Sequence, residues 1–167
     1  LREFEWDITL SQMDLENLEF GFSAPPDSIR KKGDDTGYLY FSDIGFQASH
    51  LKKESEEISG KIDQIRFNQD NGFLLKECAF DFLVTPTFAS MQHVSIRSEH
   101  SGIRGNFGIE GHWGSLLNDP GSPVFFNIKL DELTVDAGEM DYFTRHNYLS
   151  KYGIGRLELQ LMAEGYP

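Results

Sequence analysis

Five histidines, His50, His93, His100, His112 and His146, are the side chains best placed to hold a metal or move protons near neutral pH. None belongs to a recognised His, Cys or carboxylate ligand spacing. His93 precedes Val94 at an expected turn, His100 lies in Glu99-His100-Ser101-Gly102, and His112 precedes Trp113. His50 and His146 are flanked by ordinary polar residues, so surface or capping roles are expected for all five. The paired carboxylates Asp34-Asp35 and Glu56-Glu57 fall in polar stretches, where solvated charge is the ordinary explanation. No Gly-x-Ser-x-Gly elbow is present, and the glycine-rich stretch from Gly105 to Gly114 lacks the Gly-Lys-Ser/Thr of a phosphate loop. Cys78 is the single cysteine, which forbids an internal disulfide and suits a small core residue. The expectation is a chain that is not an enzyme and uses neither cofactor nor metal.

Charge narrows the partners. The formal net charge is −12, and the only basic runs are Arg30-Lys31-Lys32 and Lys52-Lys53, which argues against nucleic acid. With 39% hydrophobic residues and 14 Phe, disorder is excluded as the main state. No segment reaches the ~18 apolar residues of a membrane span, so membrane contact is expected only through parts outside this segment. The opening Leu1-Arg2-Glu3-Phe4 already alternates and has no initiator Met, and Glu164-Gly165-Tyr166-Pro167 closes a strand abruptly. The expectation is one β-repeat segment, 1–167, excised from a longer protein.

The elements that would position any site carry a recurrent apolar phrase at i, i+3 and i+5. It reads Leu15-Leu18-Phe20, Phe41-Ile44-Phe46, Ile62-Ile65-Phe67, Leu75-Cys78-Phe80, Met91-Val94-Ile96 and Leu130-Leu133-Val135. An i to i+3 step breaks the parity of an alternating strand. The later side chains change face unless the backbone bends or bulges there. Repetition of the phrase predicts extended segments that turn a common corner.

Around it the chain reads as strands and turns. Phe4, Trp6, Ile8 and Leu10 alternate with Glu5, Asp7 and Thr9, and residues 24–37 read as a flexible loop. Alternation returns from Tyr38 to Ala48, and Ser49 to Glu57 reads as a charged turn. Asn68 to Gly72, Thr85-Pro86-Thr87 and Glu99 to Gly102 bound further strands, expected at 73–76, 78–84, 88–92, 93–98 and 103–110. Val124 to Val135 forms a strand pair or one bent strand. Asp136 and Glu139 have capping-box spacing and predict a short helix over 139–150. Leu157, Leu159, Leu161 and Ala163 close the pattern. The fold class is all-β: a curled, repetitive, antiparallel or mixed sheet with one apolar face and one short helix.

The run from Ile58 to Phe67, then Asn71-Gly72-Phe73 through Phe82, Met91 to Ile96, and Ser101-Gly102-Ile103-Arg104-Gly105, resembles one family. It is similar to the TamB-like (translocation and assembly module) branch of the AsmA-like bacterial envelope proteins. Asp14 to Phe20 and Asp136 to Phe143 fit the same pattern, while loop 24–37 and Cys78 depart from it. The resemblance implies a sheet whose concave face is a hydrophobic groove. It implies a periplasmic location, with the full-length protein anchored in the inner membrane. The implied partners are phospholipid acyl chains and an outer-membrane β-barrel assembly partner. No catalytic residue belongs to that mechanism.

The expected groove lining is Trp6, Ile8, Leu18, Phe20, Phe46, Ile65, Phe67, Phe80, Phe82, Val94, Ile96, Phe107, Ile109, Leu133, Val135, Leu157 and Leu159. Each would serve equally as ordinary core, and which face points inward at each corner stays open. Strands of eight to ten residues at ~3.3 Å each would span ~30 Å. A different class, an extracellular β-sandwich adhesin or carbohydrate-binding module, would use Trp113 with His112, or Tyr38 with Tyr40. A purely structural repeat is the third reading.

Overall fold

A computed structural model describes residues 7–23, 38–111, 125–144 and 156–165. Loop 24–37, Trp6, and the pair His112 and Trp113 lie outside them, as do positions 145–150 of the expected helix. The strands are β1 (Ile8–Ser23), β2 (Tyr38–Glu54), β3 (Glu57–Gln69), β4 (Leu74–Thr85), β5 (Phe88–Ser98), β6 (Gly102–Glu110), β7 (Phe125–Asp136) and β8 (Arg156–Gly165), with helix α1 (Ala137–Thr144) between the last two. All eight join one sheet in sequence order, each antiparallel to the next. The sheet is curled and unclosed, since β1 and β8 do not pair. Among the described residues the sheet is a single layer, whereas a β-sandwich needs two.

The six parity breaks are β-bulges. At Leu15–Leu18 β1 uses three residues against two in β2, from Phe46 to Ile44. The same three-against-two count falls at Phe41–Ile44 against β1, Ile62–Ile65 against β2, Leu75–Cys78 against β5, Met91–Val94 against β6, and Leu130–Leu133 against β8. The extra residue restores the face that the i to i+3 step would have lost. In three of the six the residue before the second hydrophobe takes a left-handed backbone: Asn17 (φ 57), Asp43 (φ 52) and His93 (φ 52). His50 (φ 54) does the same between Ala48 and Leu51. Asn, Asp and His are the non-glycine types that tolerate this region best.

Bulging leaves backbone groups to satisfy, and neighbours do so. The His93 N–H donates to Asn106 Oδ1 at 2.9 Å, and His93 Nδ1 lies 2.8 Å from Asp81 Oδ2. His93 is therefore inside β5 rather than at a turn. The strand β6 carries no bulge. Its Gly105 stands opposite Val94 on one side and Leu130 on the other, where a Cβ would meet the Lys129 carbonyl oxygen. Glycine there lets two bulged neighbours close on a straight strand.

Several boundaries differ from expectation. The strands run from 9 to 17 residues, not eight to ten, because the bulge lets one strand continue through each corner. Segments 73–76 and 78–84 are one strand, as are 88–92 and 93–98. The charged stretch from Ser49 is strand as far as Glu54, with Ser55 and Glu56 alone making the turn. Helix α1 starts two residues before the predicted boundary, at Ala137, because Asp136 is its N-cap: Oδ1 accepts from Gly138 N at 2.8 Å and Glu139 N at 3.2 Å.

Candidate functional site

Directly paired residues of antiparallel strands share a face, so register defines the two surfaces. Ile103, Phe107 and Ile109 lie on one face of unbulged β6 and tie its two halves together. From them the face runs through Met91 and Ile96 to Phe82 and Cys78, through Ile62 and Phe46, and on to Leu15. On the other side it continues through Ile128, Leu133 and Val135. All three residues of every apolar phrase fall on this face.

Every expected lining residue from β1 to β7 is therefore on one surface: Ile8, Leu18, Phe20, Phe46, Ile65, Phe67, Phe80, Phe82, Val94, Ile96, Phe107, Ile109, Leu133 and Val135. Val94 belongs to it but is only 3% exposed, packed where the β5 bulge meets Gly105. Leu157 and Leu159 stand opposite Val135 and Leu133 in register. The first member of each phrase was missing from the expected lining, as were Leu10, Phe22, Leu39 and Ile58. The phrase itself held the signal, because a bulge keeps its first residue beside the other two.

Little covers this surface. Among the described hydrophobes, only Ala48, Ile62, Leu75, Val94 and Ala137 are buried, while Phe20 is 57% and Phe22 53% exposed. A chain of rings, Phe20–Phe41–Phe67–Phe73, crosses β1, β2 and β3 to the residue before β4, at centroid distances of 6.4, 5.3 and 6.0 Å. Among the described residues, two recesses indent the face. One of ≈ 450 Å³ is lined by Ile62, Phe80, Phe82, Val84, Met91 and Phe107. The other, ≈ 240 Å³, lies among Phe73, Leu75, Ile96, Ile103, Leu133 and Val135, with Met140 of α1 at its rim. Cys78 is half-buried on the same face, and burial, then the neighbouring Glu77, pushes its thiol pKa up.

The opposite surface is polar and cross-linked. Arg97 donates to Glu77 at 2.8 Å, Ser95 donates to the same carboxylate at 2.9 Å, and Arg104 pairs with Glu132. Lys61 contacts Asp63 at 2.9 Å and Lys129 contacts Asp131 at 3.3 Å. The Arg97–Glu77 and Arg104–Glu132 pairs join neighbouring strands, whereas Lys61–Asp63 and Lys129–Asp131 each run along a single strand.

Helix α1 is pinned over the end of the apolar face by Glu139, which is 5% exposed. Its carboxylate accepts from Ser98 Oγ and from the His100 N–H at 2.8 Å, in the turn between β5 and β6. Burial pushes its pKa up, but the hydroxyls of Ser101 and Ser98 and the His100 N–H outweigh that and hold it below the usual carboxylate value. In a capping box this Glu would accept the N-cap N–H. Here Ser101 Oγ accepts from Asp136 N at 3.0 Å instead, leaving Glu139 to hold the turn. A polar hollow of ≈ 350 Å³ adjoins, with Arg97, His100, Glu132 and Asp136 in its wall. Arg97, Glu132 and Asp136 are engaged in the pairs and cap already described. Among the described residues no three His, Cys, Asp or Glu side chains group as a metal site, and no helix is long and apolar enough to cross a membrane.

Comparisons with protein-family models, curated proteins and solved structures find no match to this chain.

Proposed function

We propose that this chain is a non-catalytic segment of a TamB-like, AsmA-like envelope protein, and that its apolar trough receives the acyl chains of phospholipid. One observation carries the reading: a face seven strands wide stays apolar through every bulge and has no second layer over it among the described residues. Soluble domains rarely leave so broad an apolar patch open unless something apolar occupies it.

The energetics suit a lipid. Two ~16-carbon tails passing bare through water would cost roughly 0.8 kcal/mol per CH₂, on the order of 25 kcal/mol. A trough of Phe, Leu, Ile and Val replaces the bilayer as solvent, while the headgroup stays wet at the open side. Apolar contact is non-directional, so a chain can slide along the face with little change in free energy. Repeating one bulged strand extends the same wall. In this reading the segment lies in the periplasm of a longer protein anchored in the inner membrane, and an outer-membrane β-barrel assembly protein is its distant partner.

Native mass spectrometry of the chain expressed in bacteria tests the reading. Phospholipid masses are expected on the folded protein and should be lost from Met91→Asp, which places a charge beside the larger recess. Wild-type protein that is lipid-free in every detergent-free preparation overturns it.

A further inference from the structure

We infer that the two recesses are halves of one site, in which a single unbranched acyl chain lies along β4, β5 and β6 and crosses the corner between them. The inference rests on the proposed acyl binding, and adds where a chain stops and how long it must be. Both recesses are walled by the same three strands. The larger lies on one side of the corner, against Phe80, Phe82, Met91 and Phe107, and the smaller on the other, against Leu75, Ile96 and Ile103. At ≈ 450 and ≈ 240 Å³, each exceeds the volume of about 150 Å³ in which a dry apolar cavity takes up one benzene. Each therefore has room for a run of methylenes.

The row between the recesses is low. The middle residue of the apolar phrase is Leu18, Ile44 and Ile65 in β1 to β3, and Leu133 in β7. In β4 and β5 it is Cys78 and Val94, and β6 sets Gly105 opposite Val94. Among the described residues, small side chains thus stand at the corner on those strands that carry a recess on both sides of it. Val94 is 3% exposed and Cys78 half-buried, so neither projects as a bulky residue there would. A ligand that fills both recesses must be narrow at the corner and must bend with the sheet. A flexible acyl chain meets both demands, whereas a rigid fused-ring lipid meets neither. From Met91 to Ile96 along β5 is roughly 16 Å at ~3.3 Å per residue, so a short chain occupies one recess and a long one reaches both. A chain seated this way makes β4 to β6 the place where sliding along the trough pauses.

The native thiol of Cys78 reports on the crossing. Its alkylation by iodoacetamide is followed at alkaline pH, because burial raises the thiol pKa. Saturating fatty acid of ~16 carbons should slow the reaction about tenfold or more, while acid of ~8 carbons or a sterol should leave its rate unchanged. In calorimetric titrations affinity should climb about fourfold per added CH₂ while the chain has recess left to fill. Cys78→Phe should stop that climb at a shorter chain and leave the ~8-carbon acid bound as in wild type. Should this variant not fold, the alkylation of wild-type protein decides alone. Equal protection by the short and long acids, protection by the sterol, or unchanged long-chain affinity in folded Cys78→Phe each overturns the inference. Long chains that bind while Cys78 reacts at its free rate sink this inference alone, whereas a chain that binds no acyl ligand of any length sinks the proposed function with it.

Discussion

Asn17 shows how one residue type supports a corner. Its φ of 57 is in the left-handed region, which costs an ordinary L-residue about 1–2 kcal/mol and a β-branched one more. Asn17→Gly should therefore be neutral or slightly stabilising, and Asn17→Ile should lose roughly 2 kcal/mol in urea unfolding. Equal stability of the two variants would remove the bulge as the cause. Gly105 gives the opposite case, since φ is not its reason. A Cβ there runs into the Lys129 carbonyl and Leu130 Cα, so Gly105→Ala should cost about 1–3 kcal/mol by overpacking. The sequence marks three bulges by Asn, Asp or His before the second hydrophobe. The other three have Gln64, Glu77 or Glu132 there and no left-handed residue. In those the apolar spacing alone carries the signal.

Elements add what single residues do not show. The alternation and the parity breaks made the strands, and a bend or bulge at each corner, legible in the sequence, while which face points inward at each corner was not, because that is set by the pairing register. Strand length was not legible, because a bulge and a turn both interrupt alternation and only pairing distinguishes them. The run Lys52 to Glu54 reads as part of a charged turn, yet Lys52 and Glu54 form an ion pair along an exposed strand end. The cap at Asp136 was visible in spacing, but the reach of Glu139 into the β5–β6 turn joins positions far apart in sequence. That contact has a pH signature. A carboxyl held lower when folded than when unfolded contributes stability that is present above its unfolded pKa and lost as pH falls through the folded one. Glu139→Gln should lose about 1–3 kcal/mol at neutral pH, and its deficit against wild type should shrink on acidification below about pH 4.3. A deficit constant from neutral to acid pH would show that the charge is not what holds α1.

At the scale of the whole molecule, polar cross-links on one face and a bulge in six of the eight strands make a single sheet that curls without closing. Its stability comes mainly from neighbouring strands and cross-strand pairs, since no second layer packs on the apolar face among the described residues. The central claim is that this face, and not the polar one, meets acyl chains. Photo-crosslinking with a benzophenone amino acid at Met91 and at Arg104, on opposite faces of the sheet, tests it most directly in cells that make the protein. The account predicts phospholipid adducts at Met91 and none at Arg104. Adducts at both positions in equal yield, or at neither, would contradict it.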